Sequence, residues 1–228
     1  MNVQVIPTPG VFLGADTIIC AYSPLRLNAA VPGAAYLWST GSSDGHIDVA
    51  VSGTYWLEVN LEGCIVSDTI SITAEPAPDI DLGGDRDICP GQEIMLDATH
   101  EPNSSYLWNT GDTTPVITAR EAGVYSVRVT SRYQCTGTDS VLLTYYPRPL
   151  VTLGADTTIC EDVPLLLSAY HVHADSVVWS GGSVGERLSV QYGGTYIARG
   201  INKCGTGADT VLVMSGSLKN VQIRSIVS

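Results

Sequence analysis

Apolar and polar residues alternate along many short stretches of this chain, with the period of two that is typical of half-buried β-strands. The longest stretch runs from Gly53 to Val59, and Gly123 to Val129 repeats its pattern. Shorter stretches, separated by turn residues, predict further strands near 25–27, 36–38, 47–49, 69–72, 94–96, 106–108, 116–118, 140–143, 165–167, 177–179 and 188–190. Such a density of short strands predicts an all-β fold of compact immunoglobulin-like sandwiches.

The chain repeats itself three times. Seven kinds of landmark recur at steps of 69 to 71 residues, which chance does not produce. The landmarks are the Leu-Gly openings at Leu13, Leu82 and Leu153; Asp16, Asp85 and Asp156; Cys20, Cys89 and Cys160; Trp38, Trp108 and Trp179; Tyr55, Tyr125 and Tyr196; Cys64, Cys135 and Cys204; and Asp68, Asp139 and Asp209. We therefore expect three tandem immunoglobulin-like β-sandwich repeats in a rod.

Short proline-rich segments separate the repeats. Pro7-Thr8-Pro9, Pro76-Ala77-Pro78 and Pro147-Arg148-Pro149 each precede a Leu-Gly opening. Proline cannot continue a strand ladder and favours extended backbone, so these linkers should be short and semi-rigid. The predicted boundaries are 1–8 for a terminal strand and linker, 9–75, 76–146 and 147–214 for the repeats, and 215–228 for a strand-like tail.

Composition and charge exclude several classes of partner. The net charge is −12 and the chain has only two lysines, Lys203 and Lys219. Nucleic acids and anionic lipid surfaces both require clustered basic residues, so neither is an expected partner. No apolar run approaches the roughly 18 residues of a membrane span, and the N-terminus lacks the features of a signal peptide. We expect no membrane insertion.

The six cysteines occur as two in each repeat, separated by 44, 46 and 44 residues. They form no CxxC-type cluster that would suggest a metal site. The spacing predicts one disulfide inside each repeat, joining Cys20 with Cys64, Cys89 with Cys135, and Cys160 with Cys204. Disulfides persist in oxidising compartments, which places the protein outside the cell or at its surface.

The repeat motif resembles a known group of proteins. The string Leu-Gly-x-Asp-x-x-x-Cys, followed by Tyr-Leu-Trp-x-Thr-Gly, Gly-x-Tyr and Cys-x-x-x-Asp-[Ser/Thr], is similar to the immunoglobulin-like or PKD-like tandem repeats of Bacteroidetes cell-surface proteins. Many of those precede a gliding-motility-associated or type IX secretion domain. The resemblance covers about residues 9–214 and implies secretion, surface attachment and a spacer or adhesin role without catalysis. Residues 215–228 resemble neither a repeat nor a sorting domain.

Motifs that could carry chemistry are few. Gly181-Gly182-Ser183-Val184-Gly185 matches the G-x-S-x-G elbow of hydrolases, but it aligns with plain loops in the other repeats, so we expect no enzyme. His171 and His173 could share a strand face and bind a metal, although repeats one and two lack the pair. We expect no cofactor; calcium could bind near Asp16, Asp85 and Asp156 at the repeat junctions, but turn capping by Asp explains their recurrence more simply.

The aligned aromatic residues are expected in the core because they recur at matched positions. Trp56 has no counterpart, so Trp56 and Tyr22 make repeat one the candidate for binding a surface glycan or protein ligand. A structural and adhesive module is the leading functional hypothesis, and a specific glycan- or protein-binding module is the second.

Seven Asp-[Ser/Thr] pairs resemble the O-glycosylation sequon of Bacteroidetes. Because Asp-Thr also commonly begins a strand, both interpretations stay open. The candidate hydroxyls are Thr17, Thr69, Thr113, Ser140, Thr157, Ser176 and Thr210.

Both ends of the chain contain strand-like segments. Val3 and Val5 lie in a stretch that aligns with the last strand of a repeat, and Val221 and Ile223 alternate after the third repeat is complete. Either the chain is an excerpt of a longer array, or a terminal strand augments the next subunit of a filament. The partners expected are thus neighbouring Ig-like domains of the same or another copy.

Overall fold

A computed structural model describes residues 10–29, 31–160 and 163–216. The chain forms two compact units. The first takes the described residues within Met1–Gly84, Met95–Ala119 and Val124–Leu142, and the second takes those within Asp85–Ile94, Arg120–Gly123 and Leu143–Ser228. The second repeat therefore contributes residues to both units. The terminal residues Val3, Val5, Val221 and Ile223 lie outside the described residues.

All regular structure in the described residues is β-strand. In repeat one the strands are β1 (Thr17–Cys20), β2 (Leu25–Asn28), β3 (Ala35–Trp38), β4 (His46–Val49), β5 (Gly53–Leu61) and β6 (Cys64–Glu75). In repeat two they are β7 (Arg86–Ile88), β8 (Ile94–Asp97), β9 (Ser105–Trp108), β10 (Val116–Ala119), β11 (Gly123–Thr130) and β12 (Thr136–Tyr145). In repeat three they are β13 (Leu150–Thr152), β14 (Thr157–Cys160), β15 (Leu165–Ser168), β16 (Tyr170–Val172), β17 (Ser176–Trp179), β18 (Arg187–Val190), β19 (Gly194–Asn202) and β20 (Gly205–Gly216).

Each repeat has one four-stranded and one two-stranded sheet. The four-stranded sheets have the orders β1-β6-β5-β3, β7-β12-β11-β9 and β14-β20-β19-β17, and the two-stranded sheets are β2-β4, β10-β8 and β15-β18. The first strand of each four-stranded sheet runs parallel to the last strand of the repeat. Repeat three has an additional two-stranded sheet, β13-β16. The all-β prediction and the immunoglobulin-like prediction are both confirmed.

Residues from both sheets of a repeat fill its core. In repeat one, Leu27 and Ile47 from the small sheet pack with Leu57, Val59 and Ile70 from the large sheet, and all five are buried. This is the arrangement that period-two alternation predicts, since alternate residues of each strand face the partner sheet. Repeat three has an equivalent cluster.

The recurring tryptophans lie at the centre of these cores. Trp38, Trp108 and Trp179 are each at most 2% exposed. Each indole Nε1–H donates a hydrogen bond to a backbone carbonyl six residues later, at 2.8 to 2.9 Å. A buried indole needs such an acceptor, so the loop after the strand is held to the core by the same bond in all three repeats. The prediction that these residues are core residues is confirmed.

Recurring aspartates join the start of each repeat to its last strand. The Asp68 carboxylate accepts a hydrogen bond from the Leu13 amide at 2.7 Å, and Asp139 and Asp209 accept equivalent bonds from Leu82 and Leu153. The N–H groups of Leu153 and then Thr210 lower the pKa of Asp209 because both donate to its ionised form. The Asp and Leu-Gly landmarks thus recur together because they bond to one another.

Candidate functional site: the inter-repeat disulfides

The structure pairs the cysteines between repeats. Cys20 is bonded to Cys135, and Cys89 to Cys204, with Cα–Cα distances of 5.4 and 5.2 Å. Each bond joins the first cysteine of one repeat to the second cysteine of the next, at a sequence separation of 115 in both cases. Cys64 and Cys160 are unbonded. The prediction that Cys20–Cys64, Cys89–Cys135 and Cys160–Cys204 bond inside their repeats is wrong.

Strand register explains why a bond inside a repeat cannot form. Cys20 ends β1 and lies opposite Glu75, where the chain leaves the repeat; we call this the linker end of the sheet. Cys64 begins the same strand β6 beside the turn after Leu61, at what we call the hairpin end. Eleven residues separate Cys64 from Glu75, which is about 36 Å at roughly 3.3 Å per residue. A disulfide requires Cα atoms about 4.4 to 6.8 Å apart.

The same geometry holds in repeat three. Cys160 lies opposite Gly216 at the linker end, whereas Cys204 precedes Gly205 at the hairpin end of β19 and β20. Each disulfide therefore fastens the linker end of one repeat to the hairpin end of the following repeat. The proline linker joins the same two ends through the backbone, so successive repeats are joined by two covalent connections.

Sequence reasoning missed this pairing, although a signal for it was present. Glu62 and Gly63 both have positive φ and form a two-residue hairpin loop. A Glu-Gly pair between two alternating stretches indicates such a hairpin, which would have placed Cys64 at one end of the sheet. Cys20 stands directly before the turn that leads to β2, so it also lies at an end of its strand.

Two glycines let the linker lie directly on the hairpin end of the next repeat. A Cβ at Gly137 would lie 1.9 Å from the Pro78 carbonyl oxygen, and one at Gly207 would lie 1.9 Å from that of Pro149. Both prolines are buried. Each linker is therefore packed against the hairpin end of the repeat that follows it, and only glycine fits beneath the proline carbonyl group.

Polar groups reinforce the second disulfide. The Asn202 side-chain amide, which is buried, donates to the carbonyl oxygens of Pro147 and His173 at 2.9 and 2.7 Å. Lys203 forms an ion pair with Asp87 and lies over the Tyr146 ring, 4.2 Å from its centroid. The hydrogen bond with Asp87 raises the pKa of Lys203. Residues from both repeats thus surround the Cys89–Cys204 bond.

The G-x-S-x-G segment is a loop between strands β17 and β18. The Trp179 amide donates to the Ser183 carbonyl, and the Gly182 amide donates to that of Trp179. A hydrolase elbow requires a helix after the nucleophile, and the residues following Ser183 lead into a strand. Ser183 therefore does not lie at the strand-to-helix turn that positions the nucleophile of a hydrolase.

The two histidines are not presented on one face. His171 lies in β16, and its Nε2 is 3.3 Å from Glu186 Oε1. His173 lies beyond the end of the strand with φ of 63°, so the alternation that would align the rings is broken. Among the described residues, no three His, Cys, Asp or Glu side chains form a group that could hold a metal ion.

The aspartates considered for calcium accept backbone hydrogen bonds. Asp16 accepts from the Ser71 amide and Asp156 from the Leu212 amide, both at 2.9 Å. These contacts tie the start of each repeat to its last strand, 55 and 56 residues away, so they are not the short-range turn caps that the sequence suggested. Calcium at a repeat junction stays the alternative to the expectation that no cofactor binds.

The exposed aromatic residues of repeat one lie apart from each other. Tyr22 is 97% exposed and follows the linker end, whereas Trp56 is 40% exposed and pairs with Thr69 in the middle of β6. Six residues of β6, about 20 Å, separate Thr69 from Glu75 beside Cys20. The two side chains therefore form no joint platform for a glycan.

Most of the predicted glycosylation hydroxyls are accessible. Thr17 and Thr157 are half-buried at the starts of β1 and β14, and the others are exposed: Thr69, Thr113, Ser140, Ser176 and Thr210. Exposure permits modification without requiring it, so glycosylation stays a prediction.

The sequence matches no protein-family model, and no curated protein is similar to it. Solved structures with a similar fold are tandem immunoglobulin domains. The N-terminal four Ig domains of Dscam1 isoform 6.9 align over 91% of this chain and 74% of theirs, at 12% identity and a TM-score of 0.38. An I-band fragment of titin aligns over 89% and 96%, at 10% identity and a TM-score of 0.46. Extracellular domains 3–5 of Drosophila OTK align over 89% and 95%, at 11% identity and a TM-score of 0.42. All three TM-scores lie below 0.5, so these likenesses carry no conclusion about this chain.

None of the residues that the structure describes belongs to a helix with the length and hydrophobicity needed to cross a bilayer.

Proposed function

We propose that this chain is a non-enzymatic stalk segment of a bacterial cell-surface protein or extracellular fibre, of the Bacteroidetes kind that its repeats resemble. The observation that carries the proposal is the pair of inter-repeat disulfides. A disulfide inside a domain stabilises that domain, whereas one between domains fixes the step from each domain to the next. A module that transmits tension needs the second property.

The surroundings of the bonds support the same role. The buried linker prolines, the glycines beneath them and the buried Asn202 all hold one repeat to the next. Disulfides of this kind persist only in oxidising surroundings, which supports an extracellular location. The acidic charge of −12 suits an exposed and soluble surface.

Pulling the chain by its two ends tests the proposal directly. With both disulfides intact, the taut path of a fully unfolded chain runs through 1–20, 89–135 and 204–228, and the segments 21–88 and 136–203 are shielded from tension. Reduction should release these segments and lengthen the unfolded chain by roughly 490 Å, at about 3.6 Å per residue. A Cys20→Ser and Cys89→Ser double variant is the matched control, because it should show the longer extension without a reductant.

An unchanged extension after reduction would contradict the proposal, since the bonds would then bear no tension. The location is tested on intact native cells with an antibody against the folded repeats. Labelling only after lysis would exclude a surface role.

A further inference from the structure

The two unbonded cysteines occupy the same positions as the bonded ones. Cys64 precedes Asp68 by four residues, as Cys135 precedes Asp139, and it begins the last strand at the hairpin end. Cys160 ends the strand parallel to β20, as Cys20 ends the strand parallel to β6.

The backbone hydrogen bond that Cys160 accepts also matches those that the bonded cysteines accept. The amide three residues later donates to the cysteine carbonyl in all three repeats, from Val163 to Cys160, from Ser23 to Cys20 and from Gln92 to Cys89. Cys160 and Cys64 therefore have the backbone settings of the two halves of an inter-repeat disulfide.

Neither of them is covered by the described residues as fully as its bonded equivalents. Cys135 and Cys204 are 1% and 8% exposed, but their equivalent Cys64 is only half-buried. Cys160 is exposed, whereas its bonded equivalents Cys20 and Cys89 are half-buried. Both thiols are accessible to a second molecule.

Aliphatic side chains next to the two thiols replace polar or small ones at the bonded positions. Ile65 follows Cys64 and is 58% exposed, where the other repeats have Thr136 and Gly205. Val163 is also 58% exposed, where the other repeats have Ser23 and Gln92. Burial of these two side chains would favour contact between separate molecules.

The hairpin end of repeat one differs in sequence from those of the other two repeats. Val66 stands where Gly137 and Gly207 stand in the other repeats, two residues before the recurring Asp. Val66 therefore places an aliphatic side chain where those repeats present only backbone.

We propose that Cys160 of one copy of this chain forms a disulfide with Cys64 of a second copy, so that copies join head to tail. The proposal rests on the proposed stalk function and extends it, because the junction between copies repeats the junction inside the chain. Each copy has one thiol of each kind, so the reaction can continue at both ends and yields a linear polymer.

The bond forms by thiol–disulfide exchange with a small disulfide such as oxidised glutathione. The Cys160 thiolate attacks one sulfur of that disulfide, forms a mixed disulfide and releases one glutathione thiol. The Cys64 thiolate of the second copy then attacks the Cys160 sulfur and releases the other glutathione thiol. Two protein thiols are oxidised, one small disulfide is reduced to two thiols, and the protons of the protein thiols pass to the released thiolates.

The test uses two variants, Cys64→Ser and Cys160→Ser, one of them isotopically labelled so that all dimers differ in mass. Each variant alone can form only a symmetric dimer, and a mixture can also form the Cys160–Cys64 heterodimer. In a glutathione redox buffer, the heterodimer should exceed either symmetric dimer by about twentyfold, because about 1.4 kcal/mol of orienting contact multiplies the statistical factor of two by about ten. The unsubstituted chain should form a ladder of oligomers that a reductant dissolves, and peptide mapping should identify the Cys160–Cys64 pair.

Two outcomes overturn the proposal. Random thiol pairing gives a heterodimer only about twice as abundant as each symmetric dimer. A chain that stays monomeric, or that bonds Cys64 to Cys160 within one copy, also excludes head-to-tail joining. Tryptophan fluorescence of both variants verifies that they are folded. Because the pulling experiment concerns only Cys20–Cys135 and Cys89–Cys204, the stalk function can stand when head-to-tail joining fails.

Discussion

Replacing Gly207 with alanine should strongly destabilise the junction between the second and third repeats. The added Cβ would lie 1.9 Å from the Pro149 carbonyl oxygen, and real contacts of this kind are not shorter than 3.0 Å, so the linker must retreat by about 1.1 Å. Pro149 is buried, so it has no free space to move into. Overpacking of this kind costs about 1–3 kcal/mol, and the alanine recovers about 0.4–1 kcal/mol by restricting the unfolded chain.

We expect a net loss of about 1.3 kcal/mol, which for a unit of this size lowers the melting temperature by roughly 5–10 °C. Calorimetry measures the transition, and hydrogen exchange of β19 and β20 peptides assigns it to repeat three. Gly181→Ala is the matched control, because nothing lies within 4 Å of its added Cβ. If the Gly207→Ala and Gly181→Ala proteins have the same melting temperature, the linker does not pack on the sheet as described.

Three further predictions concern single side chains of the repeats. Asp209→Asn should reduce the loss of stability in acid. The folded-state pKa of Asp209 lies below its ordinary 3.8, so the stability that its carboxylate contributes is present above that value and disappears as the pH falls through the folded-state pKa. Denaturant titrations of both proteins at neutral pH and in acid can verify this. Trp108→Phe leaves the Thr114 carbonyl without its 2.8 Å hydrogen bond and should lower the free energy of unfolding in urea by about 1–3 kcal/mol. The control Trp56→Phe, at an exposed position, should change that free energy little. Equal effects would refute the role of the buried indole. Peptide mass mapping of the native protein should show whole sugar residues on any exposed Asp-[Ser/Thr] site that is used, and bare masses for all seven peptides would exclude glycosylation.

Sequence periodicity predicted the strands whose alternate residues face a core but not the parallel strand that begins each four-stranded sheet. Leu25–Asn28, Ala35–Trp38 and Gly53–Leu61 all lie where alternation placed them, because their apolar residues at every second position are buried by the opposite sheet. The parallel strand Thr17–Cys20 was missed: its sequence, Thr-Ile-Ile-Cys, does not alternate, and its pairing partner lies 55 residues away. Local patterns hold no information on such long-range parallel pairing.

The disulfide pairing was predicted incorrectly for the same reason. Two cysteines per repeat and an even total favoured closure inside each repeat, and this interpretation used only their number and spacing. The correct pairing depends on which end of the sheet each cysteine occupies, and that depends on the parallel pairing of β1 with β6. The period of about 70 residues does not distinguish the two pairings either, because bonds within repeats and bonds between successive repeats would both recur with that period.

The overlap of the two disulfide loops has a consequence for damage by proteases. The loop from Cys20 to Cys135 and the loop from Cys89 to Cys204 share residues 89–135. A single backbone cut anywhere from 21 to 203 therefore leaves the two fragments joined by at least one disulfide, and a cut between Cys89 and Cys135 leaves them joined by two. With bonds confined to single repeats, one cut in a proline linker would have released everything beyond it.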